Sequence, residues 1–169
     1  PSTGMPTKPE QSDLEHVLYT SHGDSSRVVL APGTVEEAYD QARLAFNLAY
    51  KYQLPAIILY DQKLSGELTN LPASVFDREP TPSLGSTLTE ADLEDAPHDP
   101  SGQYQRLQYD AGRGDGVSPR SMPGQGGERF RATGSEHNEA GHISEDPTNR
   151  VLQVERRQRK LESIREDLD

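Results

Sequence analysis

Arg27-Val28-Val29-Leu30-Ala31 and Pro55-Ala56-Ile57-Ile58-Leu59-Tyr60 are two short, β-branched, apolar runs, each bounded by polar residues or proline. Such runs read as buried strands. Between them, Pro32-Gly33 breaks the first strand. Thr34 and Glu37 then have capping-box spacing, and Val35, Ala38, Ala42, Ala45, Phe46 and Ala49 recur at helical intervals. This predicts a helix over 35–52, stopped ahead of Pro55, with the Phe46 stripe facing a core. Strand, helix and strand with a short return form a βαβ unit, and continuous apolar runs on both strands predict a parallel sheet covered on both faces. Two strands cannot cover themselves. The remainder of the sheet is expected from residues absent from this sequence or from another chain.

Upstream, Thr7-Lys8-Pro9-Glu10 repeats the capping-box spacing, and Leu14, Val17 and Leu18 supply an apolar face, so 8–20 reads as a short helix. Downstream, the character changes from about residue 65. Prolines and glycines punctuate 65–145, acids cluster at Glu90-Ala91-Asp92-Leu93-Glu94-Asp95, and no apolar period persists. A structureless loop of that length is foreign to a compact domain, so 65–145 reads as an extended Pro/Gly-rich acidic arm and inter-domain connection. Asp146 and Pro147 then open a helix. Val151, Val154, Leu161, Ile164 and Leu168 give it one narrow apolar seam, with Arg157 where a strict heptad would want an apolar residue. The expected organisation is therefore 1–64 as half of an α/β domain, 65–145 as the arm, and 146–169 as an amphipathic, charged helix leading to a second domain. No internal repeat is evident.

Composition narrows the function classes. The 169 residues are 31% hydrophobic and 6% aromatic, with no Trp, which suits a core smaller than the length implies. Net charge is -11, and residues 1–110 carry 17 acids against 7 bases. Such a surface repels phosphate backbones and anionic membranes, so nucleic acid and lipid are poor partners. Concentrated salt would screen the self-repulsion, so the balance suits a halophilic cytosol. There is no cysteine, which excludes disulfides, zinc thiolates and iron–sulfur ligation by these residues. No apolar run approaches a membrane span and no signal pattern opens the sequence, so a soluble, cytoplasmic protein is expected. Pro1-Ser2-Thr3-Gly4 begins without Met, which suggests numbering from inside a larger protein.

The block Pro1-Ser2-Thr3-Gly4-Met5-Pro6-Thr7-Lys8-Pro9-Glu10-Gln11-Ser12-Asp13-Leu14 closely resembles the corresponding stretch of the α subunits of 2-oxoacid:ferredoxin oxidoreductases, especially the 2-oxoglutarate type. Gly23-Asp24, Val29-Leu30-Ala31-Pro32, Ala45-Phe46-Asn47-Leu48-Ala49, Tyr52-Gln53-Leu54-Pro55 and Leu59-Tyr60-Asp61-Gln62 continue the likeness in order. Gly116-Val117-Ser118-Pro119-Arg120, then Gly134-Ser135-Glu136-His137-Asn138-Glu139-Ala140-Gly141-His142, resemble the segment joining that family's two transketolase-like domains. Arg156, Arg157 and Lys160-Leu161 are similar to the helix before its second domain. The resemblance implies the C-terminal half of a thiamine-pyrimidine-binding domain, followed by the inter-domain segment. It implies thiamine diphosphate as a cofactor shared with a β subunit that also holds the metal and an iron–sulfur cluster. It further implies oxidative decarboxylation of a 2-oxoacid to an acyl-coenzyme A, with ferredoxin taking the electrons. The family's activating carboxylate, its Tyr-Pro-Ile-Thr-Pro-type loop and its substrate-pairing arginine lie upstream of the Pro-Ser-Thr-Gly block. No catalytic residue is therefore assigned, and the isolated chain is expected to be inactive.

The candidate site residues follow from both readings. Ser2, Thr3 and Gly4 carry small hydroxyls and a permissive backbone; they line a substrate and cofactor pocket by resemblance, and a turn leading into a helix otherwise. His137 and His142, near Glu136 and Glu139, are five apart rather than the four of a helical zinc motif, so no metal site is assigned and hydrogen bonding in a loop or interface is expected. Arg120 is a candidate for positioning the arm by pairing with a carboxylate, against a solvated surface arginine. The rival reading is a non-catalytic, truncated assembly or interaction protein whose acidic arm wraps a partner.

Overall fold

The computed structural model describes residues 12–78, 82–125 and 129–168. Ser2, Thr3, Gly4 and the Thr7–Glu10 capping box lie outside the described residues. The chain divides into two compact units, Pro1–Ser83 and Leu84–Asp169. The break falls at neither 64/65 nor 145/146. Residues 66–83 belong with the first unit, and 84–146 belong with the C-terminal helix.

In the first unit, helix α1 (Asp13–Tyr19) precedes strand β1 (Val28–Leu30), helix α2 (Val35–Tyr52), strand β2 (Ala56–Ile58) and a single helical turn, α3 (Gln62–Ser65). The strands pair in parallel, with Val28 opposite Ala56, Val29 opposite Ile57 and Leu30 opposite Ile58. The crossover helix starts where the sequence puts it: Thr34 is extended, and its hydroxyl accepts from the Glu37 amide at 3.1 Å. The Glu37 carboxylate reaches back to the Gly33 amide at 2.7 Å. The helix ends at Tyr52 because Gln53 takes the left-handed conformation (φ 55°) and Leu54 precedes proline.

The Phe46 stripe is corrected. Ala45, Leu48 and Tyr52 are the buried residues of α2, whereas Phe46 is 65% exposed. A two-stranded sheet is narrow, so it covers only part of the wide apolar stripe. The strands are likewise less enclosed than expected: Val28 is buried, and Val29, Leu30 and Ala56–Ile58 are half-buried. The segment after α3 folds back along α2. Tyr39 packs edge-on against Phe76 at 5.2 Å, Arg78 pairs with Glu36 and Asp40, and the Ser83 amide donates to Asn47 Oδ1 at 2.8 Å.

In the second unit, α4 (Glu90–Glu94) carries a complete capping box between Thr89 and Asp92. Helix α5 (Pro147–Leu168) is the only long element among the described residues of this unit. The described residues of 84–146 are mainly irregular, yet Tyr104, Val117 and Ser118 are fully buried. Leu88, Ala96 and Tyr104 form a small core with Leu93 against it. Backbone polarity is satisfied by short pairings instead of sheets, as in Leu88 N donating to Arg120 O at 2.9 Å and Arg120 N to Ser86 O at 3.1 Å.

The expected apolar seam of α5 is corrected in part: Ile164 is buried and Val154 half-buried, but Val151, Leu161 and Leu168 are exposed. The inward face is Asn149, Gln153, Arg156, Lys160 and Ile164, at intervals of four, three, four and four. These residues share one helical face, and it is polar because the loops it packs on present carbonyls that need donors: Gln153 Nε2 donates to Leu107 O at 3.0 Å, and Asn149 Nδ2 to His137 O at 3.1 Å.

Candidate functional site

The parallel pair sends both strands toward one edge, and residues after their carboxyl ends surround a crevice of about 330 Å³. Ala31, Pro32 and Gly33 follow β1; Leu59, Tyr60 and Asp61 follow β2; Leu64 comes from α3, and Asp13 and Leu14 from the start of α1. Crevices outside the carboxyl ends of parallel strands are where α/β sheets bind ligands, because the loops there vary while the strands hold them rigid. Leu14, Pro32, Leu59 and Leu64 give it apolar walls, and exposed Tyr60 adds an aromatic ring. Asp61 is fixed by capping α3, its Oδ1 accepting from the Leu64 amide at 2.8 Å. Among the described residues the charged lining groups are Asp13 and Asp61. These walls suit a neutral or cationic flat ring better than a phosphate.

The other three residues singled out from sequence lie in the second unit. Arg120 holds backbone: its Nη2 donates to Leu84 O at 3.1 Å, and its strand-like bridge to Thr87 ties the chain start of this unit to the Gly116–Arg120 loop. The acceptor of this bond is a backbone carbonyl. His142 Nδ1 lies 3.2 Å from Arg131 Nη1, and its Nε2 3.3 Å from Asp99 Oδ2. A guanidinium only donates, so Nδ1 accepts and Nε2 carries the proton toward Asp99. His137 Nδ1 contacts Ser135 O at 2.8 Å. Both rings thus serve loop hydrogen bonds.

These contacts expose a pattern the sequence reading missed. His98-Asp99-Pro100-Ser101-Gly102-Gln103-Tyr104 and His137-Asn138-Glu139-Ala140-Gly141-His142-Ile143 share the order His, Asx, two residues, Gly. Each closes an antiparallel bridge, His98 with Tyr104 and His137 with Ile143. In each, the Asx Oδ1 accepts from amides two and four residues on: Ser101 and Gln103 at 2.9 and 3.0 Å, Ala140 and His142 at 3.1 and 3.0 Å. The two loops then interlock, Gln103 Nε2 donating to Ala140 O at 3.1 Å and His142 meeting Asp99. The spacing was visible, but only the hydrogen bonds reveal it as one design used twice.

Glu136 is the electrostatic centre of this unit. Arg157 grips it with two parallel bonds of 3.1 and 2.9 Å, and Arg150 adds one of 2.5 Å. The Arg157 bonds are the main reason its carboxyl falls to about 2, against the opposing effect of burial.

Against this geometry stand the likenesses to known proteins. The family described as pyruvate flavodoxin/ferredoxin oxidoreductase, thiamine diphosphate-binding, matches residues 1–156. The 2-oxoacid:ferredoxin oxidoreductase 1 subunit alpha of Sulfurisphaera tokodaii is 37% identical over 163 residues, 96% of this chain and 24% of that subunit. The 2-oxoglutarate oxidoreductase subunit KorA of Mycobacterium tuberculosis is 33% identical over 165 residues, 97% of this chain and 23% of the relative. Among solved structures, 2-oxoglutarate:ferredoxin oxidoreductase from Magnetococcus marinus, with 2-oxoglutarate, coenzyme A and succinyl-CoA bound, superposes with a TM-score of 0.75 at 32% identity, over 98% of this chain and 27% of that one. The chain spans about a quarter of the length of these curated relatives.

Proposed function

The chain belongs to the thiamine-diphosphate-binding family of pyruvate flavodoxin/ferredoxin oxidoreductases, and from this premise we propose that it forms part of the α subunit of a 2-oxoacid:ferredoxin oxidoreductase acting on 2-oxoglutarate. The observation that carries the reading is the end-to-end match in both sequence and fold to a 2-oxoglutarate:ferredoxin oxidoreductase. The relatives named for 2-oxoglutarate support the choice of substrate. In this reading the products are an acyl-coenzyme A, carbon dioxide and reduced ferredoxin, and the site is completed by the rest of the α subunit and by a β subunit.

The residues present fit one half of thiamine diphosphate. The crevice at the carboxyl ends of β1 and β2 has apolar walls for a flat heterocycle and, among the described residues, no cation in its lining for a diphosphate. Leu14, Leu59 and Tyr60 would flank the aminopyrimidine, with Asp13 and Asp61 at the rim, while the diphosphate and its metal fall to the β subunit. Ser2, Thr3 and Gly4 precede α1 in sequence and are assigned to the substrate and cofactor side of the same site. When bound, thiamine supplies stabilisation of the carbanion left by decarboxylation. The chain's own contribution is to exclude water from the ring, orient it, and present the rigid interface to the β subunit.

Mixing the purified chain with the β subunit of such an enzyme tests the assignment. Co-elution on size exclusion, with apolar dye binding suppressed in the mixture, is the expected result. Failure to associate, or turnover of 2-oxoglutarate by this chain alone with coenzyme A, thiamine diphosphate and an electron acceptor, would overturn it.

A further inference from the structure

Residues 129–132 are exposed, and among the described residues their backbone makes no hydrogen bond to other backbone. Side-chain and packing contacts hold them instead. The Phe130 ring lies 5.6 Å from the Arg106 guanidinium carbon, and the Arg131 carbonyl sits so close to Gly141 that a Cβ there would come within 2.3 Å of it. The polar tie is Arg131 Nη1 to His142 Nδ1 at 3.2 Å. His142 is itself well anchored: its amide donates to Asn138 Oδ1 at 3.0 Å, its carbonyl accepts from the Asn138 amide at 2.8 Å, and its Nε2 lies 3.3 Å from Asp99 Oδ2. The ring is 35% exposed, so water can deliver a proton to it.

Among the described residues, the charged groups that face the ring are Arg131 from this segment and Asp99 from the His98 loop. On the ring's own loop, His137 turns its Nδ1 to Ser135 O, Glu139 accepts from the Tyr109 amide, and Glu136 is gripped by Arg150 and Arg157. The two facing groups respond oppositely to a proton. A guanidinium has only donors, so the Arg131 bond exists while Nδ1 keeps its lone pair. A proton on Nδ1 sets donor against donor and places two positive groups 3.2 Å apart. The Asp99 contact instead keeps its donor at Nε2 and gains charge assistance.

We propose that His142 is a proton-operated catch. Neutral, it holds Arg131, and with it residues 129–132, against the paired His98 and His137 loops. Protonated, it keeps Asp99, so the loops stay interlocked, and releases Arg131, so the segment loosens. Histidine is the side chain that ordinarily takes up a proton between about pH 5 and 8, which puts such a catch within a physiological range. The inference is independent of the crevice assigned to the pyrimidine.

The test is a pH titration of the whole chain by NMR, following the His142 ring nitrogens and the backbone order of residues 129–132 together. At high pH the ring should be the Nε2–H tautomer. As it takes up its second proton, backbone order parameters of 129–132 should fall from about 0.85 to below about 0.6, with the same midpoint as the ring. His142→Gln should abolish the fall, because the glutamine Oε1 accepts from Arg131 without titrating; His98 and His137 remain in that variant, so a fall that persists belongs to them. An Nδ1–H tautomer at high pH, order unchanged across the ring's titration, or a fall that survives His142→Gln overturns the proposal. Should the variant fail to fold, the wild-type chain decides: coincident midpoints support the catch and separate ones overturn it.

Discussion

Glu136 shows how one side chain sets the behaviour of its unit. Gripped by Arg157 and Arg150, it titrates at about 2 in the folded chain against a usual 4.5. A depressed carboxyl contributes stability above its unfolded value and loses it as pH falls from about 4.5 toward 2. Glu136→Gln should therefore cost about 2 kcal/mol at pH 7 and flatten the acid limb of a urea-midpoint profile. Lys160 has the opposite sign. Its ammonium is disfavoured by burial, so between about pH 10 and 7 the unfolded chain holds the proton more tightly and stability falls as pH falls. Lys160→Met should raise the urea midpoint at pH 7 and remove that slope. Glycines separate by their surroundings. A Cβ on Gly116 (φ +73°) would lie 2.2 Å from Arg156 O, whereas one on Gly112 (φ +76°) meets nothing within 4 Å. Gly116→Ala should cost about 3 kcal/mol or more and Gly112→Ala about 1 kcal/mol, measured by the same titration.

At the level of elements, α2 and α5 contrast in how far periodicity carries. Capping box, apolar recurrence and Pro55 together fix α2 at Val35–Tyr52, because those signals act within a turn or two of the helix itself. Which apolar residues meet the sheet is a different matter. Leu48 is buried and Phe46 is not, so Leu48→Ala should lower stability by about 3 kcal/mol and Phe46→Ala by less than about 0.5 kcal/mol. Equal losses in chemical denaturation would mean that Phe46 has a covering in solution. In α5 the apolar Val151, Leu161 and Leu168 lie on the outward side, and the buried stripe is polar except at Ile164. A hydrophobic pattern predicts the inward face only when the neighbour is apolar. Here the neighbours are irregular loops whose carbonyls select Asn149, Gln153 and Arg-rich positions instead.

For the whole molecule, the exposed Leu14, Leu18, Tyr19, Phe46 and Tyr60 belong to the unit whose described residues carry two strands. The isolated chain should enhance the fluorescence of an apolar dye under native conditions; no enhancement would mean that self-association or another contact hides this surface. The sequence alone determined the βαβ crossover, its parallel sense and the family, because strand runs, caps, proline and ordered motif blocks are local or linear signals. It also left the open sheet legible, since no third run of strand character exists beside the two. Only the tertiary structure decided that 84–146 folds as a unit with α5, that the His98 and His137 loops are one device used twice, and that a polar face is the buried one. The first and last of these rest on hydrogen bonds between residues 10 to 50 positions apart, such as Tyr109 with Asn149 and Gln153 with Leu107, and the paired loops on Asx bonds whose acceptors the spacing alone does not reveal. A polar side chain buried by matching a distant carbonyl leaves no periodic trace, so composition reads such a segment as an arm until its partners are seen.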